Sequence, residues 1–267
     1  MIWDVFLQAL GVLIVLAVLG WLASLALRNV NLVDSLWSLF FLAAAVTYAA
    51  LLPQPGPRTA LVLALVAAWA LRLAGHLTLR NWGKPEDRRY QAIRAKHSPG
   101  FAWKSLYFVF GLQAVLAWLI SVPLLAAIAS PAPLGLPDAL GVVLVAAGLT
   151  VETLADLQLA RFKRDPTNRG RVLDQGLWRY SRHPNYFGEA CVWWGFGLLA
   201  VAAGAWWALV SPALMTFLLL RVSGVSLLER DIAERRPAYR DYIVRTSAFI
   251  PWPPRRCKAD EVQEASS

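Results

Sequence analysis

Seven blocks of this sequence, at about 4–27, 34–52, 59–79, 103–128, 137–160, 186–207 and 209–228, run almost without charge. Each comes near or exceeds the roughly 20 apolar residues that cross a bilayer core. A segment in lipid has no water to satisfy its backbone, so every N–H and C=O must be bonded within it, and such blocks are helices. The expected fold is therefore all-α: a polytopic bundle of seven transmembrane helices in a single membrane domain over 1–267, with a flexible tail from about 254. Composition agrees, since 58% of the residues are apolar and only 16% charged, against about 25% charged in a soluble domain. The first block follows "MIWD" with neither a basic flank nor an A-x-A-like cleavage site, so it reads as a retained helix rather than a signal peptide. The weakest boundary is the last, where only Ser211 and Pro212 separate two blocks that could also form one bent element.

The net charge of +9 is read by loop. Of the 26 Lys and Arg, 22 lie in the stretches 80–104, 161–182 and 229 onward, whereas the turns at 53–58, 130–137 and 205–212 hold only Arg58. Seven spans put every basic loop on one side, and the excess of Lys and Arg on cytoplasmic loops then places the N-terminus outside and the tail in the cytoplasm. This distribution makes a membrane surface, not nucleic acid, the partner of the basic charge. Cys191 and Cys257 form no C-x-x-C pair, only three His occur, and H-E-x-x-H is absent, so no disulfide frame and no metal site is expected. Oligomeric state is not legible.

Polar residues inside apolar blocks carry the functional signal, because each is costly there without a partner. The fifth block ends "VETLADLQLARFKRDPTNRGR". Glu152, Asp156 and Lys163 share one helix face near its basic end, and two carboxylates one turn apart repel unless another group lies beside them. A snorkelling helix end with local ion pairs is the alternative. In "GLWRYSRHPNYFGE", Pro184 suits the first position of a helix, which sets Asn185 and Glu189 one turn apart on one face. Arg179, Arg182 and the free N–H groups of that helix start favour an anion. Trp178, Tyr180 and Tyr186 also fit an interfacial aromatic belt. Arg72 and Arg221 interrupt the third and seventh blocks and face either a cavity or a carboxylate such as Glu189. Asp34 opens the second block as a helix cap or as a carboxylate at a pocket rim, with Trp37 on the same face. His76 reads as a satisfied bundle histidine.

Cations in the basic loops with mixed polar groups behind them fit a long ligand whose charged part lies at the membrane surface and whose uncharged, hydrogen-bonding head lies inside. A nicotinamide dinucleotide and S-adenosylmethionine both meet part of that demand. No G-x-G-x-x-G follows a strand, so a Rossmann container is excluded.

The run "LDQGLWRYSRHPNYFGEACVWWGFGL", with "RRPAYRDYIVRTSAFIPWPP" in the tail, resembles the bacterial branch of the membrane-embedded steroid 5α-reductase family, most specifically over about 150–253. The resemblance implies seven transmembrane helices, an inner-membrane location, NADPH bound without a Rossmann fold, and hydride transfer to the C4=C5 bond of a 3-oxo-4-ene steroid or similar lipophilic enone. It implies that Asn185 and Glu189 hold the nicotinamide end, that Tyr180 lies beside the same cofactor, that Asp156 stands for an aspartate on the preceding helix, and that Lys163 takes the place of an arginine that meets the phosphates. Arg72, Glu152, Arg164, Arg171, Arg182, His183, Tyr186 and Arg221 complete the implied cofactor set. Asp34, Tyr180 and Glu189 are the implied catalytic groups. The family uses a span-two carboxylate and a span-three tyrosine on the substrate ketone; Asp34 is the only acid available in span two, and span three holds no tyrosine. A protonated Asp34 would stabilise the ketone oxygen as negative charge develops on it. R-H-P-x-Y also resembles the isoprenylcysteine and phospholipid methyltransferases, so S-adenosylmethionine-dependent methylation of a lipid is the alternative.

Overall fold

The computed structural model describes residues 2–222, 225, 229, 232 and 237–255. It is helical, with no strand among the described residues. The long elements are α1 (Ile2–Leu27), α2 (Leu32–Leu51), α3 (Thr59–Asn81), α4 (Arg88–His97), α5 (Phe101–Ala129), α6 (Leu136–Arg164), α7 (Pro184–Ala202), α8 (Trp206–Val222) and α9 (Tyr239–Arg245). Five of them, α1, α2, α3, α5 and α6, are long and apolar enough to cross a membrane; α7 falls outside that set and α8 is a shorter apolar helix. The chain is thus an integral membrane protein built of apolar helices. The tail expected to be flexible lies outside the described residues from residue 256 on.

Contacts divide the chain into two compact units, residues 1–139 with 196–211, and residues 140–195 with 212–267. In the first unit α2 packs against both α1 and α3. Small polar side chains join these helices. Ser38 Oγ donates to the Ala70 carbonyl at 2.9 Å, Thr78 Oγ1 to Ser35 Oγ at 2.9 Å, and the Tyr48 and Ser121 hydroxyls lie 2.6 Å apart in full burial. Gly20 lets α1 approach closely, since a Cβ there would lie 2.2 Å from Leu36 Cδ1. Helix α5 carries one wide π-helical stretch at Leu106–Gly111 and a break at Ser121 before Pro123, as expected where a proline removes a backbone donor.

The first unit also holds a buried ion pair that the sequence reading passed over. Arg58 and Asp138 are 1% and 5% exposed at their side chains and bond in two places, Nε to Oδ1 at 2.7 Å and Nη2 to Oδ2 at 2.9 Å. Arg58 further donates to the carbonyls of Ala132, Pro133 and Ala202, and Asp138 accepts from the Gly135 N–H. One side chain thereby ties the turn at 53–58 to the turn at 130–137, neither of which carries another charge, and to the end of α7 at Ala202.

The last helix boundary differs from expectation. The chain breaks at Ala203–Ala205, where Gly204 takes φ +84°, and Ser211 and Pro212 lie inside α8. A left-handed residue ends a helix and favours glycine, whereas a proline within the first turns removes an N–H that has no partner there anyway.

Candidate functional site

In the second unit α6 and α7 meet backbone to backbone. A Cβ on Gly188 would lie 2.7 Å from both the Glu152 N and the Gly148 O, and one on Gly195 would lie 2.8 Å from the Gly141 O. Small residues at this spacing are how membrane helices come into close contact. The approach brings the predicted polar residues together: Asn185 Nδ2 donates to Asp156 Oδ1 at 3.3 Å, one turn from Glu189 on α7 and one turn from Glu152 on α6. Glu152, Asp156 and Glu189 are 2%, 6% and 7% exposed, so three carboxyl groups and one carboxamide are sequestered on two touching helices. The helix starts at Pro184 as the sequence predicts.

The segment before α7 is clamped on two sides. Against α6, the Leu177 N–H donates to Gln158 Oε1 at 3.0 Å and Trp178 Nε1 to the Ala155 carbonyl at 3.1 Å. Gly176 sits at φ +60° where any Cβ would strike Gln158. Against the tail, Ser181 Oγ donates to the Phe249 carbonyl, the Arg182 N–H to the Ser247 carbonyl, the Trp252 N–H to the Tyr180 carbonyl, and the Tyr242 hydroxyl to the Trp178 carbonyl. Arg182 anchors the clamp. Its Nε and Nη2 form a fork on Glu229 at 2.7 and 2.8 Å, and Nη1 donates to the carbonyls of Ile243 and Thr246. His183 Nε2 lies 3.0 Å from Glu229 Oε1, and its ring stacks on Tyr186 with centroids 5.6 Å apart. Arg182 therefore holds the tail, and it is not the open anion-binding group that the helix start suggested.

Burial works to raise the Glu229 carboxyl, but the hydrogen bonds and charges of Arg182 and His183 outweigh it and hold the group at about 2. A depressed pKa contributes stability that is whole above the ordinary value of 4.5 and is lost as pH falls toward 2. At full strength it is worth about 3 kcal/mol. The difference in unfolding midpoint between the native chain and Glu229→Gln is expected to be constant above about pH 5 and to shrink between pH 4.5 and 2. A difference independent of pH would show that Glu229 is not the charged partner of Arg182.

The remaining predicted residues spread over both units. Lys163, Arg164 and Arg171 are exposed on and after the end of α6; Tyr180 is 42% exposed, and Arg221 is exposed in α8. Arg72 is half-buried on α3 and Asp34 stands near the start of α2, both in the first unit.

Asp34 has a partner that sequence spacing did not show. Tyr90, on α4, donates its hydroxyl to Asp34 Oδ1 at 2.6 Å; Arg89 Nη2 lies 3.3 Å and Arg80 Nη2 3.8 Å from Oδ2. Gln113 Nε2 reaches the Tyr90 hydroxyl at 3.5 Å. The joint between α1 and α2 sets this up. Asn29 and Asn31 donate to the carbonyls of Lys84 and Pro85, Asn31 Oδ1 accepts from the Asp87 N–H, and Glu86 accepts from the Val30 N–H while gripping Arg94 at 2.7 and 2.8 Å. Asp87 then caps α4. Tyr90 is 6% exposed, and burial together with the Asp34 charge pushes its hydroxyl well above the ordinary tyrosine range, so it remains a proton donor at any physiological pH. Among the described residues no group of three or more His, Cys, Asp or Glu could hold a metal ion.

Residues 20–246 match a family described as "Protein of unknown function (DUF1295)", which is related to the steroid 5α-reductase-like membrane proteins. An uncharacterized protein of Schizosaccharomyces pombe is 34% identical over 100 residues, a stretch that covers 34% of this chain and 27% of that protein. No solved structure matches the chain.

Proposed function

Since this chain belongs to the DUF1295 family, we propose that it is an NADPH-dependent membrane reductase acting on the C4=C5 bond of a 3-oxo-4-ene steroid or a similar lipophilic enone. The observation that carries this reading is the sequestered set of Asn185, Glu189, Asp156 and Glu152 on two touching apolar helices. Acceptors and one carboxamide suit ribose hydroxyls and a nicotinamide amide, while Lys163, Arg164 and Arg171 offer exposed charge in the same unit. NADPH, when bound, supplies a hydride. Asn185 and Glu189 orient its hydrogen-bonding head, and Tyr180 lies along the same segment. The test is reduction of a 3-oxo-4-ene steroid by purified protein with NADPH; absence of product across several lipophilic enones would sink the reading.

The second reading, methyl transfer from S-adenosylmethionine to a lipid, is favoured by the same buried carboxylates, which suit a sulfonium and an ammonium group, and by Arg182-His183-Pro184.

The reading includes seven crossings, with α7 and α8 as the last two, the N-terminus outside, the tail in the cytoplasm and the protein in a bacterial inner membrane. The support is the placement of 22 of 26 Lys and Arg in three loops. A reporter fused after Ser267 is expected to be active only when it requires the cytoplasm; activity confined to a periplasmic reporter would overturn the orientation.

A further inference from the structure

The strap formed by α9 and the segment after it borders a half-open cavity of about 480 Å³ within the second unit, lined by Arg182, Arg245, Thr246, Ser247, Trp252 and Arg255 among others. That volume lies in the range of about 300–1,000 Å³ typical of small-molecule sites. Three arginines and no acidic residue line it. Arg182 is neutralised by Glu229, and Arg245 is only partly offset by Asp174, 3.6 Å away with both side chains about 40% exposed. Arg255 is exposed, and its backbone is fixed by an N–H bond to the Arg245 carbonyl at 2.9 Å. The strap's backbone thus keeps these two arginines next to each other. At the rim, Trp252 is 68% exposed although its N–H is bonded to the Tyr180 carbonyl. A large ring left open on a pinned backbone beside exposed guanidiniums matches a ligand with one planar face and one phosphate, because bases stack on indoles and guanidiniums take phosphates through paired hydrogen bonds.

We propose that this cavity seats the phosphorylated adenosine end of the dinucleotide, with Arg245 and Arg255 on the 2′-phosphate and Trp252 under the adenine. The assignment rests on the NADPH reading and places the discrimination against NADH in the tail, apart from the loop cations Lys163, Arg164 and Arg171. A phosphate can also come from a lipid headgroup, so the test separates the two sources. Binding of 2′,5′-ADP and of 5′-AMP is measured by calorimetry with the full chain in a phosphate-free detergent, then in nanodiscs of zwitterionic lipid and of phosphatidylglycerol. The native chain is expected to bind 2′,5′-ADP at least about tenfold more tightly than 5′-AMP, less so at high salt, and equally in both lipids. The exposed double substitution Arg245→Gln with Arg255→Gln is expected to remove that preference, and Trp252→Ala to weaken both ligands. Failure of 2′,5′-ADP to bind, unchanged binding by the variants, or displacement by phosphatidylglycerol would overturn the assignment. If NADPH is turned over with an unchanged KM in the double variant, the reductase reading stands and this assignment falls. If 2′,5′-ADP binds as described but no enone is reduced, the assignment stands and the reductase reading falls.

Discussion

Arg58→Ala is expected to lower stability by about 3–5 kcal/mol, the usual consequence of removing one partner from a buried ion pair. The geometry supports the upper part of that range. Asp138 would stay buried without its cation, and the carbonyls of Ala132, Pro133 and Ala202 would lose their donor at once. Replacing both partners by apolar residues, Arg58→Met with Asp138→Leu, relieves the buried charge but not the carbonyls or the Gly135 N–H, so it should recover only part of the loss. Unfolding midpoints in detergent check this. An Arg58→Ala protein as stable as the native one would mean that these segments hold together without the latch.

Glu189→Gln and Asn185→Ala are expected to reduce kcat/KM for enone reduction by about 10²-fold or more, while the unfolding midpoint moves little. The magnitude follows the loss of a positioned polar group at a reacting centre. Glu189→Gln keeps the volume while it removes the charge and turns one acceptor oxygen into a donor, so the unfolding midpoint, measured alongside, separates a functional loss from a folding defect. Asn185→Ala removes a single long hydrogen bond to Asp156, 3.3 Å, whose contribution to stability is about 1 kcal/mol. Normal rate and normal NADPH affinity in both variants would make the pair structural and would remove the principal support for the cofactor reading.

Apolarity and length carried the helices. Block boundaries from the sequence lie within a few residues of α1, α2, α3 and α6 because nothing competes with hydrophobic length there. The same rule misjudged the break between α7 and α8, since Pro212 looked like a breaker and Gly204 looked like one more small residue in an apolar run. The grouping of Asn185, Glu189, Asp156 and Glu152 was legible because each pair is local, one helical turn apart, and the α6–α7 glycines then bring the pairs together.

What stayed hidden was contact at long range. Tyr90 lies 56 residues from Asp34, Glu229 lies 47 from Arg182, and Asp138 lies 80 from Arg58; periodicity has nothing to say about such pairs. One weak signal was available. Arg58 is the lone cation of the neutral turns, and an isolated charge in an otherwise uncharged set of turns needs a partner, which Asp138 in "LGLPDAL" supplies. Arg182 was misread for a related reason: an arginine beside a helix start resembles an anion site until its own carboxylate is known.

The most direct test of the central claim is equilibrium binding of NADPH, NADH and S-adenosylmethionine to the purified native chain. NADPH is expected to bind, NADH to bind at least about tenfold more weakly because it lacks the 2′-phosphate that the arginines would grip, and S-adenosylmethionine not to compete. Binding of S-adenosylmethionine with no affinity for NADPH would contradict it.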